Sequence, residues 1–252
     1  MRIALIGAGN VATNLSQALV QVGHSIVQVY SRTDESASLL AKKLNCTYTS
    51  NVANIIVGAD VYLFSVKDSI LASLAKKIAQ GRSESLFIHT AGSMPLSVFE
   101  NLTPRYGVVY PMQTFSKERK VDFKHIPIFI EANSHVEEQK LILLFGALSD
   151  NVSVLSSTKR KFLHLAAVFA CNFTNHCYAK AEQLLKEEGI PFDVMLPLIE
   201  ETAAKIHSLS PQAAQTGPAV RFDKNVMDAH CSLLSKEDAE LYMQMSKSIH
   251  QL

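Results

Sequence analysis

RIALIGAGNVA, residues 2–12, decides how the rest of the chain is read. RIALI (2–6) is a short apolar run of strand character, and a glycine turn follows it at once. From Asn10 to Val22 the pattern is helical, ending near Gly23. Within the turn, Gly7, Gly9 and Ala12 fill the three small positions of G-x-G-x-x-A. Gly7 permits the tight exit from the strand, Gly9 lets backbone approach a pyrophosphate, and Ala12 lets the helix pack on a sheet. The amides of Asn10, Val11 and Ala12 then face phosphates at the positive end of the helix dipole.

Outward from this turn, strands and helices alternate. SIVQVY (25–30) reads as a second strand and Asp34 to Leu44 as a second helix. VYLFSV (61–66) is a strand, followed by a helix from Asp68 to Ala79. LFIHT (86–90), VVY (108–110) and IPIFIEA (126–132) complete the series. Such alternation predicts an α/β fold with a doubly wound, mostly parallel sheet of the Rossmann type. After about residue 155 the strand signals stop. One helical stretch runs from Ser157 to Gly189, and others cover 192–209 and 236–250. The expected organisation is a dinucleotide-binding domain over 1–154 and an all-helical second domain over 155–252.

The end of the second strand selects the dinucleotide. An acid there accepts from the ribose 2′-OH of NAD, whereas an arginine holds a 2′-phosphate. This chain presents Ser31, Arg32 and Thr33, which predicts NADP. Asp34 and Glu35 lie further on and suit the first turn of the next helix. In the plainer alternative Ser31 caps that helix and Arg32 is a solvated charge.

Ligands of such sheets bind outside the carboxyl ends of the strands. Ser65 and Val66 in SVKDS could run along the cofactor through their backbone. His89, Thr90, Ser93, Tyr110 and Gln113 are candidate nicotinamide or substrate contacts. The long helix contains LHLAAVFACNFTNH (163–176), apolar nearly all round, which predicts burial. At about 100° per residue, Lys161, His164, Asn172 and Asn175 share a polar stripe roughly 80° wide. His164 is the leading candidate general acid, because imidazole titrates near neutrality. Asn172, about 12 Å further along the axis, suits orientation of the cofactor or the far end of a substrate. In TGPAVRFD (216–223), Arg221 could clamp a substrate carboxylate or pair with Asp223 or Asp228.

Composition removes several other classes. Of 252 residues 48% are hydrophobic and 19% charged, so a sizeable core is possible. The net charge of +1 gives no sign of a nucleic-acid or acidic-membrane surface. No signal-peptide pattern and no apolar window of about 18 residues is present, so no membrane partner is expected. Cys46, Cys171, Cys177 and Cys231 form no C-x-x-C pair or zinc spacing. They read as reduced thiols of a cytoplasmic protein, and no metal is expected.

GAGNVA, YSRT, HTAGS, YPMQTFS, LHLAAVFACNF and TGPAVR together resemble a bacterial group of NADP oxidoreductases. In that group an N-terminal Rossmann domain precedes a helical domain of unknown function, and the likeness spans essentially the whole chain. These proteins are often labelled deazaflavin-dependent by analogy. They are related more loosely to pyrroline-5-carboxylate reductase, ketopantoate reductase and the β-hydroxyacid dehydrogenases. The resemblance implies a cleft between domains and a homodimer formed through the helical domain. The β-hydroxyacid dehydrogenases carry a Lys with an Asn four residues later on this helix. Here Lys161 is followed at that spacing by Leu165, and His164 by Val168, so their catalytic pair has no counterpart at these positions.

The expected function is NADP(H)-dependent hydride transfer to or from a small carbonyl, imine or hydroxy acid. The alternative is a non-catalytic NADP-binding sensor, for which the fold would be the same. A third reading, a dimeric scaffold built on the apolar helix, predicts no nucleotide binding.

Overall fold

β1 (Arg2–Ile6) alternates its side chains between two cores. Ile3 and Leu5 join Ala12, Leu15 and Leu19 of α1 (Asn10–Gln21). Ala4 and Ile6 point the other way, into a cluster with Tyr62, Phe64, Phe87 and Phe99. A strand covered on both faces must be apolar throughout, which is why RIALI shows no polar alternation. The computed structural model describes all 252 residues.

β2 (Ser25–Tyr30) and β4 (Val61–Phe64) flank β1, both parallel to it. The eight strands lie in the order β3-β2-β1-β4-β5-β6-β7-β8. Here β3 is Thr47–Thr49, β5 Leu86–His89, β6 Tyr106–Pro111, β7 Ile128–Ala132 and β8 Val152–Val154. The chain builds outward from β1 on one side, then returns to β4 on the other. That reversal opens a crevice at the carboxyl end of β1, where the GAGN turn sits. Pairing is parallel throughout except between β6 and β7. The Rossmann reading therefore holds.

Some boundaries differ from expectation. The third predicted strand stops at Phe64, leaving Ser65 and Val66 in a loop. β3 and β8 have three residues each, too few for a period of two to show in sequence. Helices α2 (Asp34–Leu44), α3 (Asp68–Ala79) and α4 (His135–Gly146) complete the layers. Asp34 and Glu35 do lie in the first turn of α2.

Two compact units divide the chain, Met1–Thr174 and Asn175–Leu252. The first runs past β8 into the long helix, made of α5 (Ser157–Ala167), a π-helical stretch (Val168–Phe173) and α6 (Thr174–Glu187). The second contains α7 (Leu196–Lys205), α8 (Pro211–Ala214), α9 (Lys224–Cys231) and α10 (Lys236–His250). The expected helix over 192–209 is shorter, and α9 carried no signal strong enough to read. Only Ala219 and Met227 of the buried hydrophobic residues belong to the second unit. The Lys180–Asp238 ion pair, 2.5 Å, ties α6 to α10. No helix is long and apolar enough to cross a membrane.

The expected burial of the long helix is overturned. Phe162, Leu165, Phe169 and Phe173 are 72%, 53%, 63% and 52% exposed. Apolar composition marks a surface suited to cover, and a single copy of the chain leaves this one open to water.

β5 ends on His89, which has no exposed surface. Its Nδ1 accepts from the Ala91 amide at 3.2 Å, and Nε2 lies 3.3 Å from the Pro95 carbonyl. His89 therefore staples the following turn and is closed to ligands, correcting its reading as a site residue. Burial, reinforced by the nearby Arg160 charge, lowers its pKa from 6.5 to about 3. A histidine held neutral in the fold binds fewer protons than in the unfolded chain. Its stabilisation is complete above pH 6.5 and is lost as pH falls toward 3. Glu131 and Glu137 add to this only below about 4.5. The melting temperature of the wild type should thus fall between pH 6.5 and 4.5, and that slope should flatten in His89→Gln.

Candidate functional site

Loops leave the carboxyl rim of the parallel strands β1 to β6. In the first, Gly7 has φ +121° and donates its amide to the Tyr30 carbonyl at 2.7 Å. A Cβ at Gly7 would lie 2.1 Å from the Ser65 carbonyl oxygen, so any side chain would drive the two loops apart. Gly9 is different, with no atom within 4 Å of where its Cβ would be. It is the N-cap of α1, and no side chain caps that end. The amides of Asn10, Val11 and Ala12 are therefore free for an anion, and open space lies beside them. Ala12 is fully buried against the sheet, which a larger residue would prevent. Asn14 donates its amide to the carbonyls of Asn10 and Ser116, tying α1 to the loop after β6.

Ser31, Arg32 and Thr33 follow β2. Arg32 is exposed and makes no hydrogen bond or ion pair. Thr33, rather than Ser31, is the N-cap of α2, and its hydroxyl donates to Ser36 Oγ instead of capping. The alternative in which Ser31 caps α2 is thus removed, and its hydroxyl has no protein partner. Two hydroxyls and a free guanidinium could hold a phosphate here. With the uncapped helix above Gly9, this donor set fits a dinucleotide that carries a 2′-phosphate.

After β4, Ser65 and Val66 are half-buried and Asp68 accepts from Ser93 Oγ. Thr90 donates its amide to the Phe64 carbonyl at 3.1 Å. These bonds lash the SVKDS and HTAGS loops together. Gln113 is exposed on the loop after β6, its side chain accepting from the Thr114 amide.

Tyr110 and His164 meet at this rim. Tyr110 Oη lies 3.2 Å from His164 Nδ1, and the rings cross edge-to-face at 81°. A Cβ on Gly92 would lie 2.7 Å from His164 Nδ1 and 2.9 Å from Tyr110 Cε2. Glycine is thus required for both rings to press on the turn. Burial raises the Tyr110 pKa above its usual value, opposed in part by the Arg160 charge, so the phenol keeps its proton. The pair can orient an imidazole and move a proton.

Arg160, one turn before His164, carried no functional signal in sequence, yet it is the buried residue of α5. Its guanidinium donates to Glu131 Oε2 at 2.7 Å, to the Met94 carbonyl at 2.6 Å and to Ser157 Oγ at 3.1 Å. Glu131 also accepts from the amide and hydroxyl of Ser157. Burial pushes Glu131 up, but the bonds from Ser157 and Arg160 outweigh it and hold the carboxyl below its usual range. A basic residue four before His164 and an acid ending the β7 run were the available hints.

The polar stripe does not continue along the helix. The π-helical stretch inserts one extra residue, turning everything beyond it by about 100°. Asn172 and Asn175 are exposed, and so is Lys161. Arg221 is exposed in the second unit and pairs with neither Asp223 nor Asp228. All four cysteines are free and half-buried, and no cluster of His, Cys, Asp or Glu could hold a metal ion.

Residues 2–92 match the family model "NADP oxidoreductase coenzyme F420-dependent", and residues 126–249 match "Domain of unknown function (DUF2520)". A Bacteroides fragilis protein described as a candidate NADP oxidoreductase is 54% identical, with a TM-score of 0.96. That match covers 100% of this chain and 98% of the other. A Thermotoga maritima protein is 18% identical at a TM-score of 0.79, over 99% of this chain and 98% of its own. An imine reductase from Myxococcus stipitatus, solved with NADP+, is 16% identical at 0.69, over 100% and 92%. At such identities the last two show the fold alone. No curated protein matches the sequence. Those two models and a relative identical at more than half its positions place this chain in the NADP oxidoreductase family, with NADP as cofactor and a DUF2520 domain toward its C-terminus.

Proposed function

We propose that this oxidoreductase moves hydride between NADP(H) and a small carbonyl, imine or hydroxy acid, with His164 exchanging the accompanying proton. The observation that carries the reading is the Tyr110–His164 pair, set at the strand rim against Gly92. The fold shared with an imine reductase agrees with a C=N or C=O substrate.

Gly7 and Gly9, with the amides of Asn10, Val11 and Ala12, would hold the pyrophosphate. Ser31, Arg32 and Thr33 would hold the 2′-phosphate. Ser65, Val66 and Thr90 would line the nicotinamide half. The cofactor, when bound, supplies hydride chemistry at the nicotinamide C4. His164 then donates to the substrate oxygen or nitrogen as it gains charge, or takes that proton in the oxidative direction. Tyr110 fixes the imidazole through Nδ1 and keeps water from one side of it. Arg221, exposed in the second unit and free of acidic partners, is a candidate to hold a carboxylate, and Asn172 a candidate orienting amide. The exposed stripe of Phe162, Leu165, Phe169 and Phe173 supports a homodimer through the long helix.

Three measurements bear on this. Arg32→Ala should raise the NADPH dissociation constant by about 10- to 100-fold, the worth of a charge-assisted bond, while leaving NADH unchanged. Equal affinity of the wild type for both nucleotides would remove the 2′-phosphate site. With small ketones, cyclic imines and hydroxy acids as test substrates, His164→Gln should lower kcat by roughly 10²- to 10⁴-fold without weakening NADPH binding. Tyr110→Phe should have a smaller effect in the same direction, and unchanged turnover in both variants would sink the proton-transfer role. Light scattering should give a dimer that Phe169→Glu dissociates, whereas a monomeric wild type would contradict the helical interface.

A further inference from the structure

We propose that Arg160 is a positioning residue that sets the gap between His164, Tyr110 and Gly92. The inference rests on the reading of His164 as the proton donor.

Arg160 and His164 stand four residues apart in α5 and so share one face of the helix. One guanidinium pins three separate pieces of chain. It reaches β7 through Glu131, the turn after β5 through the Met94 carbonyl, and its own first helical turn through Ser157. Ser157 doubles the tie by accepting from the Leu96 amide at 2.8 Å while donating to Glu131. The turn held in this way contains Gly92, two residues before Met94. Gly92 has no slack, since even a methyl group there would overlap His164 and Tyr110. The last turn of α5, through His164, carries one wall of the site and the Gly92 turn carries the other. Arg160 joins the two.

Stability alone gives a poor account of this residue. Arg160 is 1% exposed, and its Nε is buried without a partner. Burying an unpaired donor is costly, and a buried ion pair can often be replaced by apolar groups at no loss. What an apolar pair could not do is hold a carbonyl and a carboxylate from two other elements at fixed angles. Lysine could not do it either, because a point charge lacks the planar fork.

The test uses the full-length protein with ¹⁵N-labelled histidine. Arg160→Met combined with Glu131→Gln removes the pair without leaving a lone buried carboxylate. Tyr110→Phe supplies the reference imidazole shift for a lost Tyr110–His164 bond. The double variant should fold and bind NADPH as the wild type does, while its His164 Nδ1 resonance moves toward that reference. For a substrate turned over by the wild type, kcat should fall about tenfold or more with KM for NADPH unchanged, as expected for a misplaced reacting group. Arg160→Lys should not restore either quantity. A folded double variant with the wild-type His164 resonance overturns the proposal, as does full recovery in Arg160→Lys. If the double variant does not fold, Arg160→Gln releases the Met94 carbonyl while Ser157 still donates to Glu131. A shift toward the reference in that variant supports the proposal, and an unmoved resonance overturns it. Because the resonance needs no substrate, its outcome is separate from any failure to find turnover, which would count against the proton-donor reading instead.

Discussion

Everything at the rim depends on how closely the Gly7 and Ser65 backbones approach. A side chain at position 7 would meet the Ser65 carbonyl at 2.1 Å, and φ there is +121°. Only glycine satisfies both conditions without moving a loop. The contact lies at the point where the strand order reverses. It brings the loop after β1 and the loop after β4 side by side, and leaves α1 to begin uncapped with open space beyond Gly9. The dinucleotide half of the protein follows from that geometry.

The proposed reacting site is assembled differently. No single motif contains it. Tyr110 comes from β6, Gly92 from the turn after β5, and His164 from α5, with Arg160 and Glu131 behind them. His89 anchors the same turn from below and has no contact with solvent. Glycine thus serves twice at this rim for unlike reasons. At position 7 it allows two backbones to touch, and at position 92 it allows two rings to rest on a turn.

The second unit has few buried apolar residues of its own, and the long helix shows an aromatic stripe to water. Such a surface is unusual for a protein that works as a single chain. A composition that predicts burial is correct about the chemistry of the surface. It does not say whether the cover comes from the same chain.

The sequence by itself determined the sheet architecture, the glycine turn and the cofactor class. Each is encoded locally, in a strand period and in glycines at fixed spacing, with Arg32 as the proposed reader of the 2′-phosphate. Asp34 and Glu35 were placed correctly for the same reason, since a helix dipole acts within one turn. Only the tertiary structure decided that His89 is a core staple, that Ser31 is no cap, and that Arg160 stands behind His164. It also decided that the polar stripe breaks at Val168–Phe173, because a π-helical insertion leaves no mark in residue spacing yet turns all that follows. The last of the side-chain outcomes depends on partners tens of residues away. Tyr110 and His164 are 54 positions apart, and Arg160 and Met94 are 66, so no local pattern could pair them.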